Sequence, residues 1–422
     1  MRRTARLGTL SAALVLLGSC SDSKPCDGVS GSCTSVEIGM SEAQIADAFA
    51  RAPANSTIVL GEGTFHFTNS LTLSQAAGIT VRGAGMDKTI LDFKYQLAGA
   101  DGIIQNSPVG AGGSVTFEDF TVRDTYGNGV KVVGATGVTM RRMKAQWTGS
   151  IRGPYGLYPV QCSNVLIEDS VVDGARDAGF YVGQSDHIIV RNNTAIHNVA
   201  GIEIENSYNA DVYGNTATDN TAGILVFDLP YLNQVGGHHV RVFNNQIHDN
   251  NHPNFAAGGT VALVPRGTGG FVMANHDVEV FGNTITGNTT GGFAIVSYIA
   301  TGLPYQDSPG YVPLPSRVYV HDNTFSSNGT SPDPDNNFGL LFLVAHEVWP
   351  GGKVSDILYD GIVAPGATNE QVKICVQKNG SAGFANLNFA ELPGVGYDLS
   401  QTISFDTAPY DCALDPLPAV SF

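Results

Sequence analysis

Hydrophobic and polar residues alternate in two patterns that repeat through the middle of the chain. In the first, a run of alternating β-branched residues is followed by Asn, four residues and a second Asn. The pairs are Asn193 and Asn198, Asn215 and Asn220, Asn245 and Asn250, Asn283 and Asn288, and Asn323 and Asn328. The second pattern opens with glycine, and successive glycines are 27, 23, 22 and 22 residues apart, at Gly129, Gly156, Gly179, Gly201 and Gly223. Alternation with a period of two predicts short strands that bury one face.

A repeat of this length predicts one coil of three short strands, and coils that bury little alone must stack on their neighbours. Strands of adjacent coils would lie about 4.8 Å apart, so an Asn at the same turn of each coil reaches the next Asn and forms a ladder. An antiparallel sandwich or propeller needs hairpin turns, and leucine-rich repeats need a leucine consensus that is absent. We therefore predict an all-β, right-handed parallel β-helix. Later strands are expected to begin at Thr260, Gly292 and Gly339.

The two ends of the predicted solenoid carry different patterns. Residues 41–44 form a capping box, and apolar residues at helical spacing follow it as far as Pro53, which predicts a short N-terminal capping helix. The Asn rhythm stops near residue 366, which predicts a C-terminal cap. The expected organisation is a leader at 1–20, a tether at 21–40, the β-helix at 41–365 and the cap at 366–422.

The start of the chain is typical of an export signal. Three arginines precede an apolar run at residues 7–17 that is too short to span a bilayer, as in a signal peptide. Residues 17–20 resemble a bacterial lipobox, in which Cys20 would be acylated and anchor the chain to a membrane. The alternative is an ordinary secretory signal cleaved nearby. We expect an exported, lipid-anchored protein of the cell envelope, at the outer membrane of a Gram-negative bacterium.

Five further cysteines would then lie in an oxidising compartment. Cys26 and Cys33 are close enough in sequence to close a small loop, and Cys375 and Cys412 could staple the C-terminal segment. Cys162, at the end of a predicted strand, has no Cys–His signature around it and is interpreted as structural.

The charge of the chain bears on its partners. A net charge of −16 argues against nucleic acid. Eight of the 22 basic residues nevertheless fall between residues 123 and 191, where they could offer local positive charge to an acidic glycan. The alternative is that these residues only keep the surface soluble.

Several segments resemble a known group of proteins. Residues 57–65 and 78–85 are similar to the opening of pectate-lyase-like and alginate-epimerase-like β-helix proteins. The central coils resemble the carbohydrate-associated β-helix repeat of a family of exported proteins, at residues 155–161, 178–184, 201–207 and 292–298. The resemblance covers nearly all the chain after the tether, and such motifs specify a fold well and an activity poorly. The acid and the histidine of the alginate-epimerase signature are missing from residues 155–160.

Aligning the repeats on their glycines places polar residues outward on neighbouring coils. The catalytic candidates are Lys131, Arg152, Tyr158, Tyr181 and Glu203. The substrate-binding candidates are Gln161, Arg176, Asp177, Gln184, Glu205, Asn206 and Asp228. Interruptions at residues 230–238, 252–259 and 301–316 could supply loops that wall a groove. The alternative is that the tyrosines only stack and the carboxylates are only solvated.

The reactions that the resemblance implies begin with removal of the C5 proton of a uronate, which needs a base and a cation beside the sugar carboxylate. A tyrosine or Lys131 could be the base or acid, and Lys131, Arg152 or Arg176 the cation. The carboxylates could hold Ca²⁺ or support glycoside hydrolysis instead. We favour an enzyme acting on an acidic polysaccharide, as lyase or C5-epimerase. The alternatives are a non-catalytic glycan-binding protein and a structural envelope protein that works with an exported partner.

Overall fold

The computed structural model describes residues 26–422, so the predicted leader and the acylation site at Cys20 lie outside the described residues. The chain winds through successive coils whose strands pair in parallel with those of the coils before and after. Eleven strands form one sheet, called the front sheet below, and twenty form a second, called the back sheet. This architecture confirms the predicted parallel β-helix.

The elements are given in chain order. The first part contains β1 (Ser32–Val36), α1 (Glu42–Ala50), β2 (Ser56–Leu60), β3 (Gly63–His66), β4 (Leu71–Leu73), β5 (Ile79–Arg82), β6 (Thr89–Asp92), β7 (Ile103–Asn106), β8 (Ser114–Arg123), β9 (Val130–Val133) and β10 (Gly137–Gln146). The middle contains β11 (Tyr155–Val160), β12 (Ser163–Glu168), β13 (Val171–Asp173), β14 (Ala178–Gly183), β15 (Asp186–Arg191), β16 (Thr194–Ile196), β17 (Ala200–Glu205), β18 (Tyr208–Tyr213), β19 (Thr216–Thr218), β20 (Ala222–Phe227), β21 (His238–Phe243) and β22 (Gln246–His248).

The last part contains β23 (Thr268–Met273), β24 (His276–Phe281), β25 (Thr284–Thr286), β26 (Gly291–Val296), β27 (Ser316–His321), β28 (Thr324–Ser326), α2 (Asn337–Val344), β29 (Ile357–Tyr359), α3 (Asn369–Val372), β30 (Ile374–Gln377) and β31 (Phe384–Asn386). Short 3₁₀ helices span Thr260–Leu263, Tyr298–Thr301, His346–Val348, Pro350–Gly352, Phe389–Val395, Leu399–Gln401 and Ala408–Tyr410. The front sheet comprises β4, β7, β9, β11, β14, β17, β20, β23, β26, β29 and β31.

A single coil shows how the alternation forms these elements. β14 buries Phe180 and Val182, and β15 buries Ile188 and Val190, in one core enclosed by the two sheets. The equivalent side chains of the next coil stack on them, since Phe180 pairs in register with Ile202. The core therefore runs the length of the solenoid, and burial of apolar side chains drives its formation.

Two asparagine ladders fix the corners of the back sheet. In each ladder the Nδ2 of one Asn donates to the Oδ1 of the next, at 2.9 to 3.1 Å. The first ladder contains Asn193, Asn215, Asn245, Asn283, Asn323 and Asn379, and the second contains Asn198, Asn220, Asn250, Asn288 and Asn328. The predicted ladders are confirmed, and the first continues one residue further than the sequence pattern indicated.

The N-terminal end of the solenoid is closed by α1. Ser41 and Gln44 form the predicted capping box, with the Ser41 backbone N–H donating to Gln44 Oε1 at 2.9 Å. Ile45 and Phe49 are buried in the common core, so the helix covers apolar side chains that the first coils would otherwise expose.

At the other end, the coils continue beyond residue 365, because β30 pairs with β27 and β31 pairs with β29. The segment after them runs back over the back sheet. Its Leu417 N–H donates to Glu279 Oε2 at 3.0 Å, and its Val420 N–H donates to Asp211 Oδ2 at 3.1 Å.

Disulfides join Cys26 to Cys33 and Cys375 to Cys412, as the sequence suggested. Cys162 is a buried free cysteine whose thiol contacts the carbonyl of Val160, and burial raises its pKa to about 11.

The strands expected at Thr260 and Gly339 are wrong. Residues 260–263 form a 3₁₀ helix, and the front-sheet strand of that coil is β23, which begins eight residues later. Gly339 lies in α2. The N-cap of this helix is Asn336, whose side chain accepts a hydrogen bond from the backbone N–H of Phe338. Among residues 26–422, no helix is both long and apolar enough to cross a bilayer.

Candidate functional site

The outward face of the front sheet carries a row of polar residues on four consecutive strands. Lys131 on β9 pairs with Tyr158 on β11, and Tyr181 on β14 pairs with Glu203 on β17. The next residue of the row is Leu225 on β20. The glycine alignment therefore placed these side chains on neighbouring coils, in the order in which the structure has them.

Three tyrosines form a cluster at the centre of this row. The ring centroids of Tyr155, Tyr158 and Tyr181 are 4.6 to 4.7 Å apart. The Nζ of Lys131 lies 5.8 Å from the centroid of the Tyr158 ring. Tyr155 was not among the predicted site residues, although it lies three residues before Tyr158 at the start of the same strand.

Three carboxyl groups lie against the tyrosines. The Tyr155 hydroxyl donates a hydrogen bond to Asp177, and the Tyr181 hydroxyl donates one to Glu205. Glu203 shares its strand with Glu205, and its Oε1 is buried without a hydrogen-bond partner in the described part of the chain. Asp177, Glu203 and Glu205 are called the carboxyl cluster below.

Burial and mutual repulsion keep protons on this cluster. Burial raises the pKa of Asp177 to about 6, against the hydrogen bond from Tyr155 and the charge of Arg176. It raises the pKa of Glu205 to about 7, against the hydrogen bond from Tyr181. The pKa of Glu203 is raised well above its ordinary value, first by burial and then by the negative charges of its two neighbours. The cluster therefore contains both protonated and ionised carboxyl groups near neutral pH.

The same surroundings hold the tyrosines in their neutral form. Burial, followed by the charges of Glu205, Asp101 and Asp177, raises the pKa of Tyr158 to about 12. Burial likewise raises the pKa of Tyr155 and Tyr181. These phenols can donate hydrogen bonds at neutral pH, but they are poor bases.

The predicted residue Arg152 lies at the edge of the coils. Its Nη1 donates to the carbonyl oxygens of His197 at 3.2 Å and Gly174 at 3.4 Å. Its guanidinium carbon lies 4.8 Å from the ring centroid of Phe255. These contacts join adjacent coils to a covering loop, and none of them is made with the carboxyl cluster.

Two other predicted residues hold a loop in place. Asp228 accepts hydrogen bonds from the backbone N–H groups of Gly236 and Gly237, at 2.5 to 2.9 Å. Asn206 donates to the carbonyl oxygens of Leu229 and Gln234, both at 2.8 Å. These side chains fasten the segment at residues 229–237 against the front sheet.

Beyond the carboxyl cluster the outward face becomes apolar and is covered. Leu225 and Phe227 on β20 pack in a second buried cluster with Val261, Tyr298 and Tyr311. Val261 lies between β22 and β23, and Tyr298 and Tyr311 lie between β26 and β27, so these connecting segments lie over the front sheet. The face has an open part around Lys131 and Tyr158 and a covered part from β20 onward.

The carboxyl cluster lies where the open and covered parts meet. Glu203 is 2% exposed, Tyr181 is 3% exposed and Glu205 is 8% exposed. The alternative interpretation was that the two glutamates are simply solvated surface residues. Their burial shows that this interpretation does not apply to them. Glu205 is the more exposed of the two glutamates.

The calcium site suggested by the sequence has no preformed cage. Residues 26–422 contain no group of three or more His, Cys, Asp or Glu side chains arranged to hold a metal ion. The carboxylate of Asp228 already accepts hydrogen bonds from backbone N–H groups, and Glu205 accepts a hydrogen bond from Tyr181. Calcium binding by these residues stays a prediction.

Comparison with known proteins agrees with this architecture. Residues 58–233 match the family model described as right handed beta helix region. The protein is a right-handed parallel β-helix. The predicted resemblance is thus confirmed, and it concerns the fold. No curated protein matches the sequence.

Solved structures similar to this β-helix include two enzymes and an adhesin. The mannuronan C-5 epimerase AlgE4 A-module of Azotobacter vinelandii is 20% identical, with 68% of this chain and 84% of that chain covered and a TM-score of 0.46. The catalytic unit of the GH87 α-1,3-glucanase of Streptomyces thermodiastaticus is 17% identical, with 76% and 47% covered and a TM-score of 0.45. The Streptococcus pneumoniae surface protein and adhesin PfbA is 12% identical, with 72% and 79% covered and a TM-score of 0.43.

Proposed function

We propose that the protein is a carbohydrate-active enzyme that hydrolyses glycosidic bonds in a polysaccharide lying along the open part of the front sheet. The observation that carries the proposal is the carboxyl cluster, in which Glu203 and Glu205 are buried and Asp177 is partly buried, beside a tyrosine cluster on an outward face. Buried carboxyl groups with separated pKa values are the means by which an enzyme keeps an acid and a base available at the same pH.

In this proposal Glu205 is the general acid and Asp177 the general base. Glu205, with a pKa of about 7, donates its proton to the glycosidic oxygen as the bond to the anomeric carbon breaks. Asp177, with a pKa of about 6, is mostly ionised at neutral pH and takes a proton from the water that attacks that carbon. Water is the only co-reactant. The neutral Tyr158 offers a hydroxyl and a ring face to the sugar.

The electrostatics favour a neutral glycan over the acidic one expected from the sequence. A uronate would bring a carboxylate towards Asp101 and Asp177, whose negative charges contribute to the raised pKa of Tyr158, and like charges repel. The raised pKa of Tyr158 also leaves little phenolate at neutral pH to remove the C5 proton. Uronate lyase or epimerase chemistry remains the second candidate, because Lys131 beside Tyr158 places one cation on the open face.

The test is a screen of the purified protein against neutral polysaccharides and polyuronates. Hydrolysis releases reducing ends, whereas β-elimination also yields unsaturated products with ultraviolet absorbance. Glu205→Gln and Asp177→Asn should each lower turnover about a hundredfold or more, since a positioned acid or base contributes that much. Glu391→Gln, an exposed glutamate elsewhere on the chain, is the control and should leave turnover unchanged. Full activity in Glu205→Gln would refute the proposed role, and binding without turnover would favour the non-catalytic alternative.

We also propose that the protein is exported and anchored through an acylated Cys20. Two disulfides support an oxidising compartment. Radiolabelled palmitate should enter the wild-type protein in expressing bacteria and should not enter Cys20→Ala. Equal labelling of both proteins would contradict the anchor.

A further inference from the structure

One corner of the solenoid carries two glutamine amides, those of Gln161 and Gln184, that the fold leaves largely unused. The turn after the front-sheet strand holds Gly134, Gln161, Gln184 and Asn206 in four consecutive coils, with φ values of 75°, 55°, 50° and 46°. This left-handed conformation costs energy for every residue except glycine, and Asn tolerates it better than most. Glutamine is thus an unfavourable choice for the backbone at two of these positions.

The glutamines do not form a hydrogen-bonded ladder between coils that would offset this energetic cost. Within residues 26–422 the amide of Gln161 makes no hydrogen bond, and the amide of Gln184 makes one, in which Oε1 accepts from the Asn233 N–H at 3.2 Å. The contrast is with Asn206, whose side chain both donates to and accepts from the loop that follows it. Two amides therefore keep most of their donors and acceptors available.

Both amides line a pocket with a fixed wall. Its polar lining includes Gln161, Gln184, Asp186, Asn233 and Gln234. The wall is held because Gln234 Nε2 donates to the carbonyl oxygens of Asn206 at 2.8 Å and Ser185 at 3.2 Å. A wall fixed before the ligand arrives lowers the entropy cost of binding. We call this site the amide pocket.

The polar groups of the amide pocket suit hydroxyl groups. Amides both donate and accept, and the carboxylate of Asp186 accepts, which is the set of partners that vicinal hydroxyls require. The residues that line the pocket include no lysine or arginine. A ligand carboxylate would find a like charge at Asp186 and no ion-pair partner among the lining residues.

The amide pocket is continuous with the carboxyl cluster. Gly183, the residue before Gln184, pairs in register with Glu205. The Tyr181 hydroxyl occupies the space where a side chain at position 183 would lie. A chain of sugars that crosses Gly183 therefore passes from the carboxyl groups to the amides.

We propose that the amide pocket binds a neutral, hydroxyl-rich sugar unit of the polysaccharide that is cleaved at Glu205. The inference rests on the proposed hydrolase function and adds the class of its substrate. It assigns Gln161 and Gln184 to substrate binding and gives their left-handed backbone a functional reason.

The test measures the affinity of the purified protein for neutral hexasaccharides by titration calorimetry. Cellohexaose, maltohexaose, laminarihexaose and mannohexaose are the probes, and hexagalacturonate is the anionic comparison. The variant carries both Gln161→Gly and Gln184→Gly, because glycine favours this backbone conformation and removes the amides at the loss of one hydrogen bond, from the Asn233 N–H to Gln184. Ser327→Gly, an exposed left-handed position on another corner, is the matched control.

At least one neutral hexasaccharide should bind, and its Kd should rise about tenfold or more in the double variant and stay unchanged in the control. The proposal is overturned if no neutral probe binds, if the double variant binds as the wild type does, or if hexagalacturonate binds more tightly. Amide-dependent binding without turnover would remove the hydrolase function and leave the pocket assignment standing. If the double variant turns over substrate with an unchanged KM, the hydrolase function would stand and the pocket assignment would be overturned.

Discussion

The asparagine ladder provides the most direct test of how the coils are held together. Asn220 is fully buried, and its side chain makes four hydrogen bonds. Its Nδ2 donates to Ala195 O at 3.0 Å and Asn250 Oδ1 at 2.9 Å, and its Oδ1 accepts from the N–H and the Nδ2 of Asn198, both at 2.9 Å. Asn220→Ala deletes all four bonds where water cannot replace them.

The expected loss follows from these contacts. Each hydrogen bond contributes about 1 kcal/mol net, and a buried N–H left without its acceptor costs about 1 to 3 kcal/mol more. Asn220→Ala should therefore lower the free energy of unfolding by about 5 kcal/mol. Urea titration followed by circular dichroism measures this change, provided that the slope of the transition is the same in both proteins.

The matched control is Asn192→Gly. Asn192 occupies an exposed turn position with a left-handed backbone, directly before the ladder residue Asn193. Glycine suits its φ of 56°. This control should unfold within about 1 kcal/mol of the wild type. If Asn220→Ala also unfolds within that range, the ladder does not contribute as its geometry implies and the reasoning is refuted.

Three further predictions concern the site and the C-terminal end. Gly183→Ala should displace the Tyr181 hydroxyl and lower turnover about tenfold, and wild-type turnover would contradict the packing. Burial raises the pKa of Glu205 from 4.5 to about 7, so the folded state binds this proton more tightly and the free energy of unfolding should fall as pH rises between those values. Glu205→Gln should flatten that fall in urea titrations across the range, and an unchanged slope would exclude Glu205 as its source. Cys375→Ser should lower the free energy of unfolding by about 3 kcal/mol by opening the bridge to Cys412. A reducing agent, which also opens the Cys26–Cys33 bridge, should bring the wild type and the variant to the same value.

Repetition explains why the fold could be predicted so far. The Asn pairs and the glycine alignment recur at a near-constant spacing, and a parallel coil converts equal spacing in sequence into direct contact. The two asparagine ladders and the row from Lys131 to Glu203 follow from this rule alone. The prediction failed at Thr260 and Gly339, where an apolar segment of similar appearance lies outside the repeat and is free to form a helix.

The sequence by itself determined the coils, the corners, the capping helix and the residues that face outward on neighbouring strands. Only the tertiary structure decided that Glu203 and Glu205 are buried, that Tyr155 joins Tyr158 and Tyr181, and that Asn206 holds a loop. Each of these depends on segments that interrupt the repeat or on side-chain packing across strands, and neither is encoded at a fixed spacing. The physical reason is that a repeat fixes which residues are neighbours, whereas burial and charge depend on what lies over them.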